Sequence, residues 1–237
     1  MKDHIHTIPV LDALREPGRC PFCTMYQNID QNAVDFIMGP AYMDEDIRDK
    51  TNEAGFCDKH LEKLYAVQNR LGAALLLHTH FLHVQKDMAV SGAFDLGGGF
   101  FKKGESTARQ IAKRITAQQS RCYLCEKIDG TFNRYMDTFF YLWKREKELV
   151  DLVKALPGFC LPHYGMMLEV ADSKLNKKHL EEFLDVVIPL QQRAMGKIAD
   201  DLDWFIQKFD YRNADAPWKD SKDALVRVTA MLKGEFK

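Results

Sequence analysis

The sequence predicts an all-α protein of two tandem, quasi-equivalent helical modules that pack as one helical assembly. Apolar residues recur at intervals of three and four along most of the chain, which is the period of a helix, and no useful length shows strand-like alternation. A set of cysteine and histidine motifs occurs twice. A glycine-rich segment lies between the two occurrences. We therefore expect a first module over 1–90, a joint over 91–106 and a second module over 107–237.

The cysteine and histidine motifs repeat after 102 or 103 residues. Each copy has a Cys-x-x-Cys pair, in RCPFC and RCYLC, followed by a Cys-x-x-His pair, in GFCDKH and GFCLPH. The first set consists of Cys20, Cys23, Cys57 and His60, and the second of Cys122, Cys125, Cys160 and His163. The matched flanks and near-equal spacing indicate an internal duplication.

The helices that follow the Cys-x-x-Cys pairs are predicted from apolar periodicity. In the first copy the apolar positions are Phe22, Tyr26, Ile29, Ala33, Phe36 and Ile37. In the second copy they are Leu124, Ile128, Phe132, Tyr135, Phe139 and Leu142. The first copy should break at Gly39-Pro40, whereas TFNRYMDTFFYLWKREKELVDLVK in the second is predicted to form one uninterrupted helix.

A longer helix is predicted behind each Cys-x-x-His pair. Its shared face in the first copy consists of Leu64, Leu71, Leu75, His78 and Leu82. In the second copy it consists of Leu180, Phe183, Val187, Met195, Ile198, Leu202, Phe205 and Phe209, and Pro189 should kink or divide this run. Shorter helices are predicted at both ends of the chain, in TIPVLDALREPG and in the stretch that ends at Gly234.

The motif residues have the chemistry of zinc ligands. Zinc prefers four tetrahedral sulfur and nitrogen ligands, and Cys3His is a standard structural set. Two ligands three residues apart on a turn that enters a helix can reach one ion, and the helix amides favour the thiolate form. We expect each Cys-x-x-His pair to return to the Cys-x-x-Cys pair of its own copy, which gives two zinc ions per chain. Four protein ligands leave no open coordination position, so a structural role is favoured over catalysis.

Other uses of these cysteines accord less well with the sequence. Thioredoxin-like redox chemistry would need a βαβ context, which the pattern lacks, and it would leave the histidines unexplained. A c-type haem needs Cys-x-x-Cys-His, but Thr24 and Glu126 occupy the fifth positions. A catalytic dyad of Cys57 and His60 would remove both residues from the ligand set.

Two further regions are candidate ligand sites. His80 and His83 are three residues apart in HTHFLH, on a different helical face from His78, and could bind a metal or a ligand. The polar loop AYMDEDIRDKTNEA supplies Asp44, Glu45, Asp46, Arg48 and Asn52. A hydrogen-bonded core histidine at His78 and a plain surface loop are the simpler interpretations.

The stretch 102–121 is the one basic region. Its cations are Lys102, Lys103, Arg109, Lys113, Arg114 and Arg121, against the single acid Glu105. A basic helix beside zinc modules suggests a nucleic-acid-binding hypothesis. A solvated helix face is the simpler interpretation, because the rest of the chain is not basic. We expect an unidentified protein or small-molecule partner rather than a nucleic acid.

The composition indicates a cytoplasmic protein without a membrane partner. The formal net charge of −1 gives no overall attraction to nucleic acid or to anionic lipid. The N-terminus, MKDHIHTIPV, lacks the apolar core of a signal peptide, and LGAALLLHTHFLHVQ is too short and too polar to span a membrane. Thiols stay reduced in the cytoplasm, so six cysteines favour metal or redox chemistry over disulfides.

Several segments together resemble an uncharacterised bacterial family, a domain of unknown function found mainly in anaerobic Gram-positive bacteria. They are TIPVLDAL, RCPFC, NEAGFCDKH, NRLGAALLLHTH, GFCLPH and KFDYRNADAPWKDSKDAL, and they span nearly the whole chain. The resemblance implies a free-standing bacterial protein but carries no activity. We therefore expect a zinc-stabilised helical binding or regulatory protein. A thiol-dependent redox or metal-handling protein is the first alternative, and a nucleic-acid-binding factor that uses 102–121 is the second.

Overall fold

The helices of the protein were located in a computed structural model, which describes residues 4–89 and 107–234. This described part contains eleven α-helices and two short 3-10 segments, Pro40–Met43 and Tyr211–Asn213, and no strand. The helices are α1 (His4–Arg15), α2 (Pro21–Met38), α3 (Glu45–Ala54), α4 (Asp58–Ala66), α5 (Arg70–Ala89), α6 (Thr107–Gln119), α7 (Tyr123–Trp143), α8 (Lys147–Ala155), α9 (Leu161–Lys174), α10 (Lys177–Gln207) and α11 (Ala224–Lys233). The predicted all-α fold is confirmed.

The chain divides into two compact units, and the second is one continuous segment that interrupts the first in sequence. The first unit consists of Met1–Asn28 and Thr131–Lys237, and the second of Ile29–Gly130. Each unit therefore contains motif residues from both copies. The module boundaries 1–90 and 107–237 stay a prediction, and the predicted joint, 91–106, lies outside the described residues.

The core of the first unit is aromatic. Phe22 lies at its centre and is fully buried, with ring centroids 5.3 Å from Phe139 and 5.8 Å from Phe159. Phe140 and Trp143 extend this cluster to Phe183 on α10, through edge-on contacts of 5.5 and 4.9 Å. The cluster fixes the start of α2 against α7 and the turn before α9. Around it, α1 packs on α8, and α11 packs on α9 and α10.

The second unit is built around the contact between α3 and α5. Ala54 of α3 and Leu76 of α5 are buried, as are Leu64 of α4 and Thr51. Asn69 connects the start of α5 to the end of α2, because its amide donates to the carbonyl oxygen of Met38 at 2.8 Å. The unit thus positions the turn Gly55–Cys57, which lies between α3 and α4.

The buried face of α5 differs from the predicted one. Leu71 is 67% and Leu82 46% exposed, and His78 is also exposed. The face that packs inward instead contains Gly72, Ala73 and Leu76. Because this helix is apolar on nearly every side, its periodicity does not single out one face, and small residues allow the close packing.

Two predicted helix boundaries are also corrected. The segment after the second Cys-x-x-Cys pair is not one helix, since α7 ends at Trp143 and α8 begins at Lys147. Conversely, of the kink or division predicted at Pro189, the division does not occur, because α10 continues through it. Proline costs this helix one hydrogen bond, and the buried side chains on either side, such as Val187 and Leu190, favour continuity.

No helix in the described ranges has the length and apolar character required to cross a membrane.

Glycine is required at the turns before both Cys-x-x-His pairs. Gly55 and Gly158 have positive φ angles of 63° and 129°. A Cβ atom at Gly158 would lie 2.5 Å from the Cβ of Ala194, which is too close for two carbon atoms. Packing as well as backbone conformation therefore selects glycine at this position.

We expect Gly158→Ala to lower the free energy of unfolding by at least about 2 kcal/mol, because the new methyl group adds steric overlap to a strained backbone. Gly165→Ala is the matched control. Gly165 lies within α9 with open space around it, so alanine there should stabilise the helix by up to about 1 kcal/mol. Urea unfolding of both variants tests the difference, and equal midpoints would contradict it.

Candidate metal centres

All eight motif residues lie at the first turn of a helix. Four cysteines occupy the residue just before the helix, and the second residue of each pair follows three positions later, in the first turn: Cys20 and Cys23 at α2, Cys57 and His60 at α4, Cys122 and Cys125 at α7, and Cys160 and His163 at α9. Both positions of a pair lie in the part of the helix whose backbone N–H groups have no partner within the helix. The partial positive charge there favours thiolate over thiol.

The first centre joins the starts of α2 and α9. It consists of Cys20, Cys23, Cys160 and His163, whose donor atoms all lie within 4.8 Å of one another. The Sγ atoms of Cys23 and Cys160 are 3.6 Å apart, and the Nδ1 atom of His163 lies 3.4 Å from Cys23 and 3.2 Å from Cys160. Three of the four residues are buried, and Cys20 is half-buried.

The second centre joins the starts of α4 and α7. It consists of Cys57, His60, Cys122 and Cys125, again with all donor atoms within 4.8 Å. The Nδ1 atom of His60 lies 3.3, 3.2 and 3.4 Å from the sulfurs of Cys57, Cys122 and Cys125. The backbone N–H of Tyr123 donates to the carbonyl oxygen of Gly55 at 3.0 Å and holds the two turns together.

These distances match the edges of a tetrahedron around one metal ion. An ion bound at about 2.3 Å by sulfur and about 2.0 Å by nitrogen places two sulfurs about 3.8 Å apart and sulfur about 3.5 Å from nitrogen. The separations within both centres lie close to these values. None of the six cysteines forms a disulfide. Both centres can therefore hold a metal ion through four protein ligands, with no coordination position left open for a substrate.

The predicted pairing within each copy is wrong. The Cys-x-x-Cys pair of the first copy meets the Cys-x-x-His pair of the second, and the reverse holds for the other centre. Sequence spacing does not distinguish the two pairings, because both Cys-x-x-His pairs present the same donor atoms. The choice is made by packing around the ligands. In the first unit, the ring of Phe22, between Cys20 and Cys23, packs on Phe159, next to Cys160.

The imidazole of His60 is oriented by a buried carboxylate. Its Nε2 atom lies 3.3 Å from Oδ1 of Asp30, whose side chain is 3% exposed. The other carboxylate oxygen accepts from Lys63 at 2.6 Å and lies 3.2 Å from the ammonium of Lys59. A carboxylate that accepts the second N–H of a histidine ligand fixes the tautomer and leaves Nδ1 free to bind metal.

His163 has different surroundings. Its ring lies among aromatic side chains, with centroids 5.4 Å from Phe132 and 5.9 Å from Phe22. Phe132 follows Cys125 by seven residues, as Asp30 follows Cys23. The same position in the two copies thus supplies a hydrogen-bonding carboxylate beside one histidine and an aromatic ring beside the other.

Asp30 was not among the predicted site residues. Its position carried a signal, since an acid four residues after Tyr26 and seven before Ile37 falls on the apolar face of α2. An acid on a buried face needs a charged or hydrogen-bonded partner. The sequence did not indicate which partner, because Lys59, His60 and Lys63 are about thirty residues away.

The protonation of these groups suits metal binding. Burial lowers the pKa of His60, so the imidazole is neutral at pH 7, as a ligand must be. Burial raises the pKa values of Cys122 and Cys125. In the first centre, hydrogen bonds from Cys160 and Cys23 lower the pKa of Cys20, while the contact with Cys20 raises that of Cys160 to about 12. A metal ion must displace the protons of the thiols whose pKa values are raised, so rising pH favours metal binding.

The other candidate ligand residues of the second unit make local contacts. Nδ1 of His80 lies 2.8 Å from the carbonyl oxygen of Asn52, and the His80 ring covers Gly55. His83 lies 3.4 Å from Asp87, one turn further along α5. Asp44 caps α3 by accepting from the N–H of Ile47 at 3.2 Å.

Of the remaining candidates, Asp46 and Arg48 lie on α3, and Arg121 follows α6. Asp46 is exposed in the first turn of α3, and the carbonyl oxygen of Arg48 accepts from the hydroxyl of Thr51 at 2.9 Å. In the basic stretch 102–121, Lys102 and Lys103 lie outside the described residues. Arg121 is paired with Glu126 at 2.9 Å.

The family of the chain follows from comparison with known proteins. A model described as a family of unknown function, DUF6062, matches residues 1–237. The chain belongs to this family. Membership of an uncharacterised family, expected from the sequence, is thereby confirmed. No curated protein and no solved structure matches the chain.

The crossed pairing predicts which double substitutions spare a centre. Cys23→Ser with Cys160→Ser removes two ligands from the first centre alone, so one tightly bound ion should remain per chain. Cys23→Ser with Cys57→Ser damages both centres, although both residues belong to the same copy. Metal content after dialysis against a weak chelator separates the two cases. The reverse pattern would contradict the crossed pairing and support pairing within each copy.

Asp30→Asn should weaken metal binding at the second centre by about 10–100-fold, because the neutral amide no longer supports the imidazole. The measurement is competition with a chelating dye in the Cys23→Ser, Cys160→Ser background, where only the second centre binds. Asp35→Asn on the exposed side of the same helix is the control. Equal affinities in the two variants would show that Asp30 does not support the ligand.

Proposed function

We propose that the two centres each hold one zinc ion and that these ions stabilise the fold. The observation that supports this is the donor geometry, four protein ligands of a Cys3His set at tetrahedral separations in each centre. The ion of the first centre would be bound by Cys20, Cys23, Cys160 and His163. The ion of the second centre would be bound by Cys57, His60, Cys122 and Cys125. Zinc supplies no redox change and, with four protein ligands, no open Lewis-acid position.

The role of zinc in this proposal is to join distant parts of the chain. The first centre bridges residues that are 137–143 positions apart, and the second bridges residues 62–68 apart. Closing such long loops is entropically costly for the unfolded chain, so a metal bound only by the folded state stabilises that state. The ions hold together pairs of helix starts that no disulfide connects.

The function that accords with this arrangement is binding or regulation without catalysis. The protein would act in the cytoplasm and present its surfaces to a protein or small-molecule partner. A thiol-dependent redox or metal-handling role is the second candidate, and the partial exposure of Cys20, Cys57 and Cys125 is the observation in its favour. Nucleic-acid binding through 102–121 has no comparable support.

Zinc removal separates the structural role from the metal-handling role. Native mass spectrometry of the purified chain should give two zinc ions per molecule. Addition of a strong chelator should then abolish most of the helical circular dichroism in a cooperative transition, and restored zinc should recover it. A control with chelator presaturated with zinc accounts for effects of the chelator itself.

Two results would contradict the structural role. One is a carefully purified, folded protein that carries fewer than two metal ions. The other is a chain that loses zinc to the chelator and keeps its thermal transition, which would favour metal handling instead.

A further inference from the structure

We propose that a cavity beside the first centre binds an amphiphilic anion, a molecule with an apolar chain and one carboxylate or phosphate group. The cavity has a volume of about 510 Å³ and lies between the turn that precedes α9, helix α10 and helix α11. This volume lies within the usual range for small-molecule sites. The inference rests on the proposed binding role and gives it a ligand class.

The cavity has apolar walls contributed by separate elements. Leu156 lies in the turn before α9, Leu190 and Ile198 on α10, and Ala230 and Met231 on α11. Leu156 and Leu190 are 7% and 4% exposed, so the inner wall belongs to the core. Such walls favour a hydrocarbon chain, because its burial removes apolar surface from water.

Apart from the cysteines of the first centre, the ionisable side chains that line the cavity are all cations. They are Arg19, Arg193, Lys197 and Arg227. Arg227 is held by Asp201 and Asp223 at 2.8 and 2.9 Å, and Lys197 lies 3.3 Å from Asp220. Arg19 has an amide partner in Gln27 at 2.9 Å and a distant carboxylate in Glu16 at 3.9 Å.

Arg193 differs from the other three. No carboxylate among the residues that the structure describes pairs with its guanidinium. Lys197 lies one turn further along α10, on the same helix face. A guanidinium binds carboxylate or phosphate through two parallel hydrogen bonds, so one anionic group per ligand fits this edge of the cavity.

The metal centre limits where the anionic group can lie. Cys20, Cys23 and Cys160 also line the cavity. Three thiolates, a neutral imidazole and a divalent ion leave one net negative charge, and four protein ligands leave no free position on the ion. The anionic group should therefore lie at Arg193 rather than on the metal.

The test is calorimetric titration of the zinc-loaded, full-length protein with four probes that share one chain length. Octanoate and octyl phosphate are the two anionic probes, octan-1-ol is neutral, and octyltrimethylammonium is a cation. We expect one or both anions to bind, octan-1-ol to bind at least about tenfold more weakly, and the cation not to bind. Which anion binds more tightly identifies the head group.

Two pairs of variants locate the binding. Ala230→Trp should fill the cavity and abolish anion binding, whereas Thr229→Trp, exposed on the same helix, should not. Arg193→Gln should weaken anion binding about tenfold, whereas Lys177→Gln, which removes one charge from the same helix outside the cavity, should leave it unchanged. Arg193 is exposed, so its substitution keeps the test valid if Ala230→Trp does not fold.

Three results would overturn the inference. They are no binding of either anion up to about 1 mM, equal affinity for octanoate and octan-1-ol, and binding that neither Ala230→Trp nor Arg193→Gln reduces. Zinc content and thermal unfolding are measured on the same sample. Two bound zinc ions without anion binding would refute the ligand alone, whereas a folded protein that needs no zinc would refute the proposed function.

Discussion

The structure depends on one arrangement used twice, in which the N-terminal turns of two helices meet at a group of three cysteines and one histidine. Each turn presents unpaired N–H groups and a partial positive charge, and each contributes a residue before the helix and a residue three positions later. Two such turns would repel each other without an anionic group between them. Three thiolates on a bound divalent ion would supply that group, with one net negative charge. Metal binding and the meeting of the helix starts would then stabilise each other.

The two centres have the same types of ligand but different surroundings. His60 is supported by the carboxylate of Asp30 and, behind it, by Lys59 and Lys63. His163 lies instead among the rings of Phe22 and Phe132. The carboxylate strengthens the imidazole as a ligand, whereas an aromatic environment excludes water without adding charge. Equal ligand sets thus give centres that differ in electrostatics, and only the first borders the cavity lined by Arg193.

Sequence reasoning succeeded where a signal was local. The helix starts at Cys57 and Cys160 follow from residues within a few positions of each other. It failed where burial depended on distant residues. Leu71 and Leu82 are as apolar as Leu76, and only the packing of α3 against α5 leaves the first two exposed. Pro189 has a strong local preference against helix, which the surrounding core overrides.

The sequence by itself determined the ligand chemistry of this protein. A cysteine and a second ligand three residues later span one helical turn, and that geometry is complete within each four-residue motif. Tertiary structure alone decided which motifs form one centre, because the alternatives have identical donor atoms and differ only in contacts between residues far apart in the chain. The same holds for Asp30. Its place on an apolar face was visible in the sequence. Its contact with His60 exists only because α4 places His60 beside the buried carboxylate of Asp30.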